Sequence, residues 1–195
     1  RGRAAAAVLE DAFELSSVVD GFRHREGRDL SGYVDGTENP RGEDAVEAAF
    51  VRGLGPGLDG GSCVSVQQWQ HDLDRFERHT QDERDAMIGR RQSDDVELDD
   101  APTSAHVKRT AQESFSPAVF VLRRSMPWSD GPRHGLVFVA FGRSFDAFEA
   151  LLGRMMGLED GITDALFRFT RPLSTSYFWC PPVLDGRLDL SARGL

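Results

Sequence analysis

The alternation of apolar and polar residues along the chain predicts a succession of short elements. Residues 4–13 (AAAAVLEDAF) favour helix, and 14–22 (ELSSVVDGF) form a candidate strand. A Gly-rich, charged stretch over 24–44 (HREGRDLSGYVDGTENPRGED) must be mostly loop. A short helical run at 45–52 leads into GLGPGLDGG at 53–61, a turn or linker and the best candidate for a domain boundary. Beyond it, CVSVQQWQ (63–70) alternates in strand fashion, with Val64 and Val66 facing one way. Thr80 and Glu83 form a capping-box signature that places a helix over about 81–89. Residues 92–105 are acidic and irregular. The apolar runs 118–122 and 135–141 read as strands separated by a turn, MPWSDGPRH. Phe145, Phe148, Leu151, Leu152, Met155 and Met156 then recur at helical spacing, and STSYFWC (174–180) closes as a strand.

From Cys63 onward this order is β, helices, β, β, α, β. A split β-α-β unit of that kind makes an antiparallel sheet with helices on one face, an α+β fold. The chain is expected to divide into 1–61, a helix, a strand and the Gly-rich linker that are too little for a domain of their own, and 62–195, the domain holding the sheet. The opening RGRAAAAVLEDAF reads as a helix already in progress, so the first segment is expected to be the tail of a longer chain and to leave apolar surface uncovered.

Composition narrows the function classes. With 195 residues and 39% hydrophobic content, a core forms without staples. A formal net charge of −9 argues against an extended nucleic-acid surface. No run approaches the ~18 apolar residues of a membrane span. Cys63 and Cys180 make no disulfide framework and read as buried apolar residues in a reducing, cytoplasmic setting, with an upstream export signal left open.

Three places carry candidate chemistry. In Gly32-Tyr33-Val34-Asp35-Gly36-Thr37-Glu38-Asn39-Pro40, two glycines bracket an acid. The pattern reads either as an Asp-Gly turn with a solvated carboxylate or as an acid held out by a rigid loop. His106 stands in TSAHVKR, where a lone histidine is a surface or capping residue or a metal ligand. Arg123 and Arg124 end an apolar strand; neighbours on a strand point to opposite faces, so only one of them can enter a pocket.

Taken in order, VDGF, VDGTENP, VQQWQHDL, RRSMPW and the closing aromatic strand resemble the dye-decolourising peroxidases, especially the bacterial type B members. The resemblance runs from about Asp20 to Pro182. It implies two ferredoxin-like halves of the dimeric α+β barrel type, with haem b in the C-terminal half and the other half largely absent from this sequence. It implies His106 as axial ligand of the haem iron, and Asp35 and Arg123 as the catalytic pair on the peroxide side. Ser125 and Phe138 would line that side, Thr37 would contact the cofactor, and Arg90 would reach a propionate or remain a surface arginine. An acceptor for the second ring nitrogen of His106 is sought among Asp94, Asp95, Glu97, Asp99 and Asp100. Hydrogen peroxide and a bulky aromatic or dye-like reductant would be the substrates, with Trp69, Trp128, Trp179, Tyr33 and Tyr177 as core aromatics or electron-transfer stations. A homo-oligomer and an encapsulating shell are further implied partners. A non-catalytic haem-binding or iron-handling protein of the same fold is the alternative; a cofactor-free interaction domain is a second.

Overall fold

The computed structural model describes residues 2–194. Helix α1 (Gly2–Leu9) opens it, and α2 (Gly42–Ala49) follows a long loop. Strand β1 (Ser62–His71) leads to α3 (Leu73–Glu77), α4 (Gln81–Ile88) and the one-turn helix α5 (His106–Arg109). Then come β2 (Leu122–Arg123), β3 (Met126–Asp130), β4 (Arg133–Gly142), α6 (Asp146–Met155), β5 (Thr170–Cys180) and the small hairpin β6 (Val183–Leu184) and β7 (Arg187–Leu188). The main sheet is antiparallel in the order β2-β4-β1-β5, and β3 also pairs with β4.

Local chemistry explains most boundaries. Thr80 caps α4 with both arms of a capping box, and Gly89 ends it in the left-handed region. On α6 the apolar stripe buries Phe148, Leu151 and Met155, while Met156 falls on the C-cap and is 52% exposed, against its expected place in the stripe. β1 sits between β4 and β5, which is why its cavity-facing side carries buried polar residues, Ser65, Gln67 and His71, beside Trp69.

Four expectations are corrected. MPWSD is a strand rather than part of a turn, because Trp128 and Pro127 are buried against β4 and only Gly131-Pro132 is left between the strands. Residues 118–121 are not laddered: Gln112 takes the backbone N–H groups of Val119 and Val121 in place of a strand partner. Residues 14–22 lack a neighbour to pair with, and their only bridge is Gly21 to Trp128. Cys180 is exposed on the edge strand β5 rather than buried. As expected, the opening segment is uncovered: α1 buries nothing, and Val8, Phe13, Leu15 and Val18 are exposed.

β2 and β3 behave as one interrupted strand. Leu122 pairs with Phe141, Arg123 with Ala140 and Met126 with Val137, so the register passes through Arg124 and Ser125 without an inserted residue. Arg123, Ser125, Phe138 and Ala140 therefore share one face of the sheet. On that face the core divides into two clusters, one around Tyr33, Phe76, Met87 and Phe169, the other around Val121, Ala140, Phe148 and Leu151. A cavity lies between them.

Candidate functional site

The cavity takes its walls from both clusters. Leu136, Phe138, Phe148, Leu151 and Met155 make its surface largely apolar, and Asp35, His106 and Arg123 are among the polar groups that line it. An open, mainly apolar cleft of this kind is the usual setting of a small-molecule or cofactor site.

The loop that carries Asp35 is rigid by construction. Arg28 and Val34 form a β-bridge around a closed turn in which Asp29 N–H donates to the Tyr33 carbonyl (2.9 Å). Gly32 turns at φ +89° against Gln92, where a Cβ would collide, and Gly36 turns at φ +76° against Asn39. Tyr33 OH donates to buried Asp85, and burial together with that carboxylate pushes the phenol well above its ordinary value. Asn39 accepts from Arg123 N–H (2.8 Å) and donates to the Arg123 carbonyl (3.0 Å). The acid-bearing loop and the arginine-bearing strand are thus joined, and both side chains line the same cavity. Arg123 Nε is enclosed without a hydrogen-bond partner in the protein.

His106 is set just as firmly. Its one-turn helix ends in Arg109, 4% exposed, which binds Asp160 through two bonds (2.7 and 2.8 Å) and the Arg154 carbonyl at 2.7 Å. His106 Nδ1 lies 2.8 Å from Asp164 Oδ2, and the Asp164 side chain is fully enclosed. Nε2 makes no hydrogen bond in the structure. A carboxylate on one ring nitrogen and nothing on the other is the arrangement of a metal-ligating histidine. The acceptor sought in the acidic stretch 94–100 is therefore Asp164, 58 residues further along the chain.

The remaining expected residues divide. Phe138 lines the cavity. Thr37 and Arg90 line an adjoining polar recess that Asp35, His106 and Arg123 share. Arg90 is not a free surface arginine: it reaches Glu38 at 2.5 Å, Glu97 at 3.3 Å and the Asp95 carbonyl at 2.9 Å, leaving Nε enclosed and unpartnered. Ser125 shares the cavity face, but it is not among the residues that wall the cavity, and its hydroxyl is enclosed without a partner. Trp69 and Tyr33 are wall residues, whereas Trp128 is fully buried with its indole N–H on the Trp69 carbonyl (2.8 Å).

One polar pair had no place in the sequence reading. Asp29 and His71 meet at 3.1 Å in the cavity wall, 13% and 6% exposed. Burial alone would push Asp29 up, but the His71 hydrogen bond and charge, with two bonds from Ser31, outweigh it and hold the carboxyl at about 2. The partners are 42 residues apart, so no spacing rule marks them.

This architecture is that of a known group. The family described as Dyp-type peroxidase, C-terminal, matches residues 26–185, and the chain belongs to it. The chain is 33% identical to the dye-decolorizing peroxidase of Mycolicibacterium paratuberculosis, covering 96% of this chain and 56% of that protein. It is 31% identical to that of Mycobacterium tuberculosis, covering 90% and 54%. Among solved structures it is similar to a putative dyp-type peroxidase from Shewanella oneidensis (TM-score 0.87, 35% identity, 93% and 60% covered). It is equally similar to a Rhodococcus jostii DypB variant in complex with heme (TM-score 0.87, 30% identity, 93% and 60% covered). The chain thus spans a little over half the length of these relatives, and the expected α+β fold with one ferredoxin-like half is the one observed.

Proposed function

We propose that this chain is the haem-bearing part of a peroxidase that reduces hydrogen peroxide and oxidises bulky aromatic donors such as dyes. The observation that carries the reading is one cavity lined by three groups: a histidine with a free Nε2, a rigidly held acid, and an arginine whose Nε is enclosed and unpartnered. His106 Nε2 would hold the iron of a b-type haem, with Phe138, Leu151 and Met155 against the macrocycle. The unpartnered Nε of Arg90 is the donor available to a propionate, and Thr37 lines the same recess. Bound haem supplies the two electrons that open the peroxide O–O bond.

The chain's own residues do the proton and charge work. Asp35 takes a proton from one peroxide oxygen and returns it to the other, which leaves as water. Arg123 directs fixed donors at the negative charge that develops on the departing oxygen. Ser125 shares the sheet face but does not wall the cavity, so it is given no contact with peroxide. Asp164 keeps the His106 proton on Nδ1 and so keeps Nε2 a donor of electrons. Tyr177, 45% exposed, packs on Phe148, a wall residue, and gives electrons from bulky donors a route inward.

The same reading places a domain boundary near residues 61 and 62, before the sheet. Two free thiols suit a cytoplasmic setting. The uncovered apolar side chains of the first 22 residues suit burial against further chain, in a homo-oligomer or inside a protein shell. No helix among the described residues is long and apolar enough to cross a membrane. The test is reconstitution with haem b: a Soret band that forms stoichiometrically, followed by peroxide-dependent bleaching of an anthraquinone dye, supports the reading. A protein that takes up no haem overturns it.

A further inference from the structure

We propose that His71 is a positioning residue that clasps the Asp29 turn to the sheet and so fixes where Asp35 sits. The proposal rests on the proton-handling role given to Asp35 above. Its ground is the pair of contacts that the imidazole makes. Thr170 Oγ1 lies 2.7 Å from His71 Nδ1 and 3.0 Å from the Gln70 carbonyl oxygen. Thr170 belongs to β5 and Gln70 to β1, so this hydroxyl anchors one side of the ring at the seam between the two strands.

The other nitrogen faces Asp29. Asp29 Oδ1 lies 3.1 Å from Nε2, and Oδ2 accepts from both the Ser31 N–H (2.9 Å) and the Ser31 hydroxyl (2.5 Å). Two donors on one carboxyl favour its ionised form, in line with its depressed value. An ionised Asp29 can only accept, so the bond from His71 is donated by Nε2–H. The Phe169 ring packs 5.8 Å from the imidazole, and the pair is sealed from water on that side. The charged and titratable groups around the recess outside His71 are Asp72, Asp74, Arg75, His134, Arg168 and Arg171. None of them makes an ion pair or hydrogen bond with His71 among the described residues, so Asp29 is its carboxylate partner.

The clasp matters because of where Asp29 sits. It begins the closed turn whose far side is the Arg28–Val34 bridge, and Asp35 is the next residue. Tyr33–Asp85, Asn39–Arg123 and the Gln92 contacts to Arg28 and Ser31 hold other points of this loop; among the described residues only Asp29–His71 ties its leading end to β1.

Three measurements test the clasp. In protein labelled with 15N-histidine, one ring whose Nε2 hydrogen is bonded to a carboxylate and exchanges slowly with water is expected and should vanish in His71→Gln. A His71 ring without a hydrogen on Nε2 overturns the pairing with Asp29. Amide exchange in the peptide spanning 28–37 is expected to speed up roughly tenfold in His71→Gln, with β4 and β5 unchanged. Unaltered exchange overturns the positioning role. In haem-loaded protein, kcat for peroxide consumption should fall roughly 10- to 100-fold in His71→Gln and in Asp29→Asn, and no further in the double variant. Additive losses overturn the coupling. Asp29→Asn gives the same exchange and rate readings where His71→Gln does not fold. A wild-type chain inert to peroxide defeats the proposed function, while the 15N and exchange measurements still decide the clasp.

Discussion

Two histidine–carboxylate pairs stand in the wall of one cavity, and they are built for opposite purposes. His106 has Asp164 on Nδ1, is about one-quarter exposed, and leaves Nε2 open. His71 is 6% exposed and has a partner on each nitrogen, Thr170 on one and Asp29 on the other. The pairing with a carboxylate is common to both, so it cannot be what makes a ligand. The difference lies in the second nitrogen: an unengaged one can bind a metal, whereas an engaged one makes the ring a structural tie.

Substitutions can break this contrast in graded steps. His106→Ala should have the largest effect, weakening haem binding by more than about 100-fold in a spectroscopic titration, because no other imidazole in the wall has a free nitrogen. Retention of an unchanged Soret band would erase the distinction between the two histidines. Asp35→Asn and Arg123→Leu should keep the haem yet slow peroxide consumption by roughly 10²–10³-fold each, read by stopped flow. Asp164→Asn should weaken haem binding or activity by roughly 10- to 100-fold, since His106 stays but loses its orientation.

The smallest effect concerns acid. Asp29 is lowered from 3.8 to about 2, so its contribution is complete above pH 3.8 and disappears as pH falls through about 2. The contribution is about 2 kcal/mol. Urea midpoints should fall across that window in the wild type, and by less in Asp29→Asn. Equal slopes would show that the pair does not stabilise the fold.

How much of this was legible depended on the distance between partners. The helix α4 followed from Thr80 and Glu83, three residues apart, and β1 from alternation within ten residues. The rigid Asp35 loop followed from two glycines beside the acid, both of which take positive φ. MPWSD misled because Pro127 and the Asp130-Gly131 pair signal a turn, while burial of Trp128 against β4 is invisible locally. His106 stood out only through an ordered set of motifs; its partner Asp164 is 58 residues away and follows an unremarkable Gly-Ile-Thr. Asp29 and His71 gave no signal at all, because neither a hydrogen-bond inventory nor a shared wall exists until the chain is folded.

The side chain of Asn39 has a wider consequence. Its amide meets Arg123 with one donor and one acceptor, the same pair of groups that a neighbouring strand would present. It therefore serves as a strand one residue long, closing the outer edge of β2 where a two-residue strand would otherwise be open to a foreign backbone. Because that edge and the Asp35 loop are one mechanical body, a shift of β2 along β4 would carry the acid with the arginine. The spacing between base and cation is thus protected against register error, and Asn39→Asp, which removes the donor and sets a carboxylate against a carbonyl, would uncouple the two without touching either.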